Sequence, residues 1–261
     1  MSALNRFRSL PKGRGSLYLE WISSREVVLW LDNPEARNAM SIAMMHQLQP
    51  IVKELEEKKP SVIVIRGRNK HFCSGGDLDD VKNHLVNPDM GYAMCTWMTN
   101  LTTRMRQLPS YIIVVLEGAA IGGGAELLTL GDWIIADKQS KVGFVQARLG
   151  VTTGWGGGSR LIERVGKLKA IHLIAMSPIL SAESALNIGL VDATAGTVDK
   201  LLQEKIRRLM KQPPQTFTRL MTWLHHENEE ALEKETFSST WGADEHRSAL
   251  GLSAGMSKTD T

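Results

Sequence analysis

The sequence predicts an α/β fold in which buried strands alternate with glycine-rich turns and helices. Three apolar runs have the composition and length of strands, namely 62–65, 112–116 and 134–136. A glycine-rich turn follows each run, at 74–76, 118–124 and 154–158. A helix is predicted after each turn, so one architectural unit recurs three times along the chain.

Local patterns also predict the elements around these units. Residues 27–31 form an apolar run before Asp32-Asn33-Pro34, which is typical of a strand followed by a turn. Ser41 can cap a helix whose apolar residues follow helical spacing, and Ser181 can cap a later, short one. We expect the strand, turn and helix units to occupy residues 16–196 and a helical segment to occupy 197–261.

The first fifteen residues are basic, and no acid precedes Glu20. Their cations are Arg6, Arg8, Lys12 and Arg14. A transit peptide and a flexible, solvated arm are both compatible with this composition. Little serine and no clear amphipathic repeat favour the arm. Without these charges the rest of the chain is near neutral, so no nucleic-acid surface is indicated.

Other bulk properties exclude several classes of protein. No apolar run approaches the roughly 20 residues that span a bilayer, so no membrane partner is expected. Cys73 and Cys95 show no metal-ligand spacing, which fits a reducing compartment. His225 and His226 have no carboxylate or cysteine at ligand spacing, so we assign no metal. Arg160, at a predicted helix start, is interpreted as structural.

The glycine turns expose backbone N–H groups at helix starts, which is a general design for binding anions. The dinucleotide fingerprint fails, because counting from Gly122 its last position is Leu127. No Gly-Lys-Ser/Thr follows any turn, and Ser159 has the wrong register for a nucleophile elbow. Two turns remain, which we call the first glycine loop (74–76) and the second glycine loop (122–124).

Two such loops on neighbouring strands could each aim one N–H at a single oxygen atom. This arrangement is an oxyanion hole, in which each donor contributes about 3–4 kcal/mol when charge develops in a dry site. The alternative is that these glycines serve only tight turns and close helix packing.

At these residues the chain resembles the enoyl-CoA hydratase/isomerase, or crotonase, family. Residues 33–40 are similar to the family's CoA-contacting loop, and 72–78 and 120–127 to its two oxyanion loops. The resemblance covers about residues 17–260. It implies a crotonase-type spiral of strand–strand–helix units with a C-terminal helical oligomerisation segment. It also implies an acyl-CoA thioester substrate, a homotrimer or a hexamer built from two trimers, and no cofactor besides the substrate's own CoA.

The resemblance also implies roles for individual residues. The oxyanion donors would be the backbone N–H groups of Gly76 and Gly123. Glu126 matches the first of two carboxylates in family hydratases, but Gln146 stands at the second position. An amide exchanges no proton at useful pH, so hydration loses half of its machinery. The implied substrate-binding residues are Ala36, Asn38, Ser74, Asp77, Leu78 and Trp155, with capping and core packing as the respective alternatives for Asp77 and Trp155.

Residues 142–161 and 187–191 are similar to the branch of the family that decarboxylates ethylmalonyl-CoA and, less well, methylmalonyl-CoA in the cytosol. That branch carries a histidine where Gln146 stands. We therefore expect decarboxylation of a 2-alkylmalonyl-CoA through a thioester enolate. Gln146 would orient the substrate carboxylate, and Trp155 would form part of a poorly solvated wall.

Glu126 would sit beside the departing carboxylate and repel it if ionised. We expect it to be held protonated by burial, or to donate the proton to the enolate carbon. The alternatives are an enoyl-CoA isomerase or hydratase, with Glu126 as a base, or a non-catalytic acyl-CoA-binding homologue. The expected location is the cytosol, with the mitochondrion as the alternative because of the basic N-terminal residues.

Overall fold

The computed structural model describes residues 2–11, 13–226 and 230–251. Within these ranges the strands are β1 (Ser16–Ser23), β2 (Glu26–Asp32), β3 (Val62–Gly67), β4 (Tyr111–Leu116), β5 (Ala119–Ile121), β6 (Trp133–Asp137), β7 (Lys141–Gly143), β8 (Leu180–Ser181) and β9 (Ala193–Ala195). The α-helices are α1 (Ala3–Arg8), α2 (Ile42–Lys58), α3 (Leu78–Asp80), α4 (Pro88–Arg106), α5 (Gly123–Leu128), α6 (Gly157–Val165), α7 (Lys167–Met176), α8 (Ala182–Asn187), α9 (Val198–Met210), α10 (Pro214–His225), α11 (Glu230–Thr240) and α12 (Asp244–Ala249). A π-helical turn, Val81–Leu85, follows α3, and Gln146–Leu149 forms a 3-10 helix.

The large sheet has the strand order β1-β2-β3-β4-β6-β9 and is parallel except for the β1–β2 pair. Its central strands are covered on both faces, as their continuous apolar sequence predicts. On β3, Ile63 and Ile65 belong to the main core, which includes residues of α2 and α4. Val62 and Val64 face the opposite way and share a second core with residues of α9. The α/β prediction is confirmed.

A second, smaller layer lies beside the large sheet and contains both glycine loops. It consists of the sheet β5-β7-β8, extended by isolated parallel bridges between Met40 and Gly76 and between Cys73 and Ala120. Each turn of the chain thus adds one strand to the large sheet and one short extended segment to this layer before a helix begins. The predicted spiral of strand–strand–helix units is therefore confirmed.

The N-terminal residues are folded onto the core, and the predicted solvated arm is wrong for the described residues 2–11 and 13–15. Ser2 caps α1, and Phe7 of this helix is fully buried. The Phe7 ring lies 5.1 Å from the ring of His46 and 5.9 Å from that of Trp97. The cationic composition misled the prediction, because it does not show the apolar residues Ala3, Leu4, Phe7 and Leu10, which pack against the core.

The C-terminal segment is helical, as predicted, from α9 to α12 among its described residues. Residues 227–229 and 252–261 of this predicted segment lie outside the described residues. Val198, Leu202 and Ile206 of α9 close the second core against the sheet. No helix in the described ranges combines the length and apolar character that a membrane span requires.

Candidate active site

The first and second glycine loops lie side by side. Cys73, just before the first loop, is joined to β5 by two backbone hydrogen bonds of 3.0 Å. A methyl carbon built on Gly124 would lie 2.8 Å from the Cys73 carbonyl carbon, and one built on Gly75 would lie 2.9 Å from Ile121 O, just before the second loop. Glycine is therefore required where the loops touch. Burial raises the pKa of the Cys73 thiol to about 12, so this thiol stays protonated.

The peptide groups around Gly76 are fixed by their neighbours. The Met40 N–H donates to Gly75 O over 2.8 Å, and the Asp77 N–H donates to Met40 O over 3.0 Å. Successive peptide groups of an extended chain point in opposite directions, so the Gly76 N–H points away from Met40. That direction leads to the side on which Cys73 pairs with β5. Among the described residues, no protein group accepts a hydrogen bond from this N–H.

The Gly123 N–H is the second candidate donor. Gly123 is the first residue of α5, and the preceding Gly122 has a φ of 57°, a conformation that suits glycine. The first N–H groups of a helix have no acceptor within the helix. In the described part of the chain, no other group accepts from the Gly123 N–H. Two adjoining loops thus each present one free donor, and their role as an oxyanion hole stays a prediction.

Glu126 lies one turn after Gly123 on α5 and is only 2% exposed. Its Oε1 accepts from Gln146 Nε2 at 2.9 Å and from the Gly154 N–H at 3.1 Å. Its Oε2 accepts from the N–H groups of Trp155 at 2.8 Å and Gly157 at 3.0 Å. Four donors saturate the acceptor positions of an ionised carboxylate. The protonated form of Glu126 expected from the sequence stays a prediction.

Gln146 is buried beside Glu126, in the 3-10 helix that follows β7. The NH₂ group of Gln146 faces Glu126, and its carbonyl oxygen faces away. That oxygen, Oε1, is the one buried side-chain polar atom without a hydrogen-bond partner in the described ranges. Since a buried acceptor left unpaired costs free energy, Gln146 Oε1 calls for a donor from a ligand or a water molecule.

Trp155 lies against both glycine loops. A methyl carbon built on Gly123 would lie 2.5 Å from Trp155 Cη2, and one built on Gly76 would lie 3.9 Å from Trp155 Cζ2. The indole is almost fully buried. The structure therefore brings together five of the predicted residues, with the indole lying over the two glycines. These five are Gly76, Gly123, Glu126, Gln146 and Trp155.

The Trp155 main chain is held on both sides. Its N–H donates to Glu126, while its carbonyl oxygen accepts from Thr102 Oγ1 at 2.8 Å and from Arg160 Nη2 at 2.9 Å. Arg160 also donates to Glu126 O and to the hydroxyls of Thr102 and Thr129. Burial lowers the pKa of Arg160 to about 10. The structural interpretation of Arg160 agrees with these contacts, whereas no sequence pattern drew attention to Thr102.

Two of the predicted substrate-binding side chains are committed to the protein's own backbone. Asn38 is fully buried; its Nδ2 donates to Arg68 O and His71 O, and its Oδ1 accepts from the Asn33 N–H. Ser74 Oγ donates to Ala36 O at 2.8 Å. The Ser74 bond joins residues 33–40 to the first glycine loop, and the two Asn38 Nδ2 bonds join them to Arg68 and His71, which precede that loop. Contact of Ala36, Asn38 and Ser74 with a substrate stays a prediction.

Asp77 and Leu78 follow the first glycine loop and have opposite environments. Asp77 caps α3, is 2% exposed and pairs with Arg14. Leu78 is 58% exposed, so it is the more accessible of the two to a ligand. Burial alone would raise the pKa of Asp77, but hydrogen bonds from Arg14 and from the backbone N–H groups of Asp79 and Asp80 outweigh it, and the pKa is lowered.

His225 does have a partner carboxylate, which corrects the sequence interpretation. Its Nε2 lies 3.0 Å from Asp132 Oδ1, and its Nδ1 lies 2.7 Å from Leu108 O. Arg106 donates to the same Asp132 oxygen at 2.5 Å. Burial favours a higher pKa for Asp132, but His225 and Arg106 lower it. The cluster docks α10 on the core, and no group of metal-binding side chains was found among the described residues.

The fold and these loops define the class of protein. Residues 24–243 match the family described as enoyl-CoA hydratase/isomerase. The chain therefore belongs to the enoyl-CoA hydratase/isomerase, or crotonase, family. It is similar to an enoyl-CoA hydratase/isomerase from Marinobacter aquaeolei, with a TM-score of 0.81 and 25% identity over 90% of this chain and 95% of that one. It is also similar to an enoyl-CoA hydratase from Thermoplasma volcanium, with a TM-score of 0.80 and 26% identity over 90% and 96%.

Among curated relatives, the chain is similar to proteins named ethylmalonyl-CoA decarboxylase. The protein from Bos taurus is 34% identical over 94% of this chain and 83% of its own length. The protein from Homo sapiens is 32% identical over the same shares, 94% and 83%. The protein from Xenopus laevis is 35% identical over 84% of this chain and 77% of its own length.

Proposed function

We propose that the chain decarboxylates a 2-alkylmalonyl-CoA thioester, such as ethylmalonyl-CoA or methylmalonyl-CoA, through an enolate held by Gly76 and Gly123. Relatives named ethylmalonyl-CoA decarboxylase support the reaction, at 34% identity for the protein from Bos taurus. The two free N–H groups on adjoining loops support the enolate, because such donors bind the charged oxygen of an enolate more tightly than a neutral carbonyl.

The observation that carries the proposal is the saturation of Glu126 by four N–H donors. An isomerase needs a base that removes a carbon-bound proton, and Glu126 has no acceptor position left for it. A hydratase of this family needs a second carboxylate, and Gln146 supplies an amide. Decarboxylation needs neither group, because the electron pair of the enolate comes from the carbon–carboxylate bond that breaks.

The proposed step balances without a cofactor. The bond between C2 and the carboxylate breaks, CO₂ leaves, and the electron pair moves into the thioester to form the enolate. The Gly76 and Gly123 N–H groups donate to the enolate oxygen. C2 then takes a proton from water, and the resulting hydroxide combines with CO₂ to give bicarbonate.

Gln146 and Trp155 complete the proposal. One hydrogen of the Gln146 NH₂ group is used by Glu126, which leaves the second to donate to the substrate carboxylate. The unpaired Oε1 is available to accept from the water that protonates C2. The Trp155 indole forms an apolar wall over the glycine loops, where a poorly solvated carboxylate is less stable than in water and CO₂ is favoured.

A product assay tests this function. The purified protein is incubated separately with ethylmalonyl-CoA, methylmalonyl-CoA, 3-enoyl-CoA and 2-enoyl-CoA, and products are identified by liquid chromatography with mass spectrometry. We expect butyryl-CoA and propionyl-CoA from the first two and no turnover of the enoyl thioesters. Isomerised or hydrated enoyl-CoA without decarboxylation would overturn the proposal, as would tight CoA binding with no turnover of any substrate.

Gln146→Leu is expected to lower kcat for ethylmalonyl-CoA by roughly tenfold or more, because hydrogen bonds to charged groups contribute about 1.5–3 kcal/mol. Steady-state kinetics would measure the effect. Gln139→Leu is the matched control, since Gln139 is exposed and is not among the groups that bond to Glu126. Equal kcat values for the two variants would remove Gln146 from the mechanism.

A further inference from the structure

Residues 13–15 pack against two segments of the chain that lie next to Gly76. They lie between α1, which is docked through the buried Phe7, and β1. A methyl carbon built on Gly13 would lie 3.2 Å from Asp80 Oδ2, and one built on Gly15 would lie 2.6 Å from Asn33 Cβ. The segment therefore packs closely against both the loop before α2 and the helix after the first glycine loop.

Arg14 makes two kinds of contact there. Its guanidinium donates to Asp77 through Nε, at 2.9 Å, and through Nη2, at 3.4 Å. Nη2 also donates to Asp79 at 3.1 Å. Its carbonyl oxygen accepts from Ser41 Oγ at 2.5 Å. Asp77 is nearly inaccessible to solvent, so Arg14 is the cation that compensates a buried carboxylate.

These contacts fall on both sides of the bridge that orients Gly76. Met40 bonds to the residues before and after Gly76, which fixes the direction of the Gly76 N–H. The Arg14 carbonyl oxygen accepts a hydrogen bond from Ser41, the residue after Met40. The Arg14 guanidinium donates to Asp77, the residue after Gly76. Both strands of the bridge are thus tied to one residue that lies outside it.

We propose that Arg14 is a positioning residue for the first oxyanion donor, acting through Asp77 and Ser41 on the Gly76 N–H. The proposal rests on the proposed function in that it takes Gly76 to be such a donor. A loss of Arg14 would free Asp77 from its cation and loosen the bridge, and a misplacement of about 1 Å can cost on the order of 100-fold in rate. The N-terminal segment would then act in catalysis without touching the substrate.

The test compares Arg14→Met, Arg14→Lys and the control Arg6→Met in the full-length protein. Arg6 pairs with Asp89, and both side chains are exposed. The control therefore removes the same kind of side chain and ion pair at a place that does not contact Asp77 or Ser41. For Arg14→Met we expect kcat to fall roughly tenfold or more with KM changed by less than about twofold. Arg14→Lys should restore part of the rate, since an ammonium pairs with Asp77 but lacks the fork of the guanidinium. Arg6→Met should match the wild type.

A second measurement separates positioning from general stability. Butyryl-CoA labelled with ¹³C at the thioester carbonyl is bound to each protein, and its stretching frequency is read by difference infrared spectroscopy. Hydrogen bonds to the oxygen lower this frequency. We expect a clear lowering in the wild type and in Arg6→Met, less than half of it in Arg14→Met, and an intermediate value in Arg14→Lys. If Arg14→Met does not fold, as judged by circular dichroism, Arg14→Lys and Arg14→Gln carry the same test.

The outcomes are distinguishable. A wild-type carbonyl shift and kcat in Arg14→Met would overturn the positioning role while leaving the oxyanion hole intact. No shift in the wild type would overturn both the oxyanion role of Gly76 and the role of Arg14. A shift in the wild type without decarboxylation would overturn the proposed function alone, and the role of Arg14 would then be decided by the shift in its variants.

Discussion

Glu126→Gln is expected to lower both the stability of the protein and the proposed decarboxylase activity. A glutamine has one acceptor oxygen, so its NH₂ group must face N–H donors that now bond to a carboxylate oxygen. Each buried donor left unpaired costs about 1–3 kcal/mol, so we expect the free energy of unfolding to fall by about 2–4 kcal/mol. We expect kcat to fall roughly tenfold or more, because Trp155 and Gln146 lose their common support.

Urea denaturation and steady-state kinetics on the same preparations would measure these effects. Glu183→Gln is the matched control, since Glu183 is exposed in the first turn of α8 and should change either quantity little. Loss of activity with unchanged stability would contradict the anchoring role. Glu126 would then be a proton-transfer group, and an isomerase would become the better interpretation.

The glycine loops show what the sequence could predict. Each follows an apolar strand and precedes a helix, and parallel neighbouring strands bring such turns to one edge. The prediction needed only local patterns and the pairing of β3 with β4, which the structure contains. The fold class was predictable for the same reason.

The environment of Glu126 was not predictable from local pattern. Its backbone donors come from Gly154, Trp155 and Gly157, which lie 28, 29 and 31 residues further along the chain. Any residue except proline can supply a backbone N–H, so no residue type marks these positions as donors. The sequence showed an acid where the family resemblance implies a carboxylate, and only the fold shows that its oxygens accept four hydrogen bonds.

The N-terminal residues and His225 were missed for a related reason. Their partners are distant in sequence: Arg14 pairs with Asp77 across 63 residues, and His225 with Asp132 across 93. Composition favoured a solvated arm for the first fifteen residues, and ligand spacing along the chain showed no partner for His225. Composition cannot show whether a polar side chain is solvated or paired with a buried residue. Here Arg14 pairs with Asp77 and His225 with Asp132.

Gly123→Ala is expected to lower kcat/KM for ethylmalonyl-CoA by about 100-fold, the effect of losing one oxyanion donor. The new methyl carbon would lie 2.5 Å from Cη2 and 2.7 Å from Cε3 of Trp155. The indole is buried and its main chain is held by Glu126 and Thr102, so it cannot swing clear. The first turn of α5 must therefore shift, and the Gly123 N–H shifts with it.

Overpacking of this kind costs about 1–3 kcal/mol of stability, a loss that Trp155→Leu in the same chain should partly restore because it removes the ring. Comparing the wild type, the two single variants and the double variant separates the steric clash between residue 123 and the indole from the loss of the N–H donor. Gly196→Ala is the control, because a methyl carbon on Gly196 would meet no atom within 4 Å. If Gly123→Ala retained wild-type kcat/KM, the second glycine loop would contribute no donor, and the enolate would have to be stabilised elsewhere.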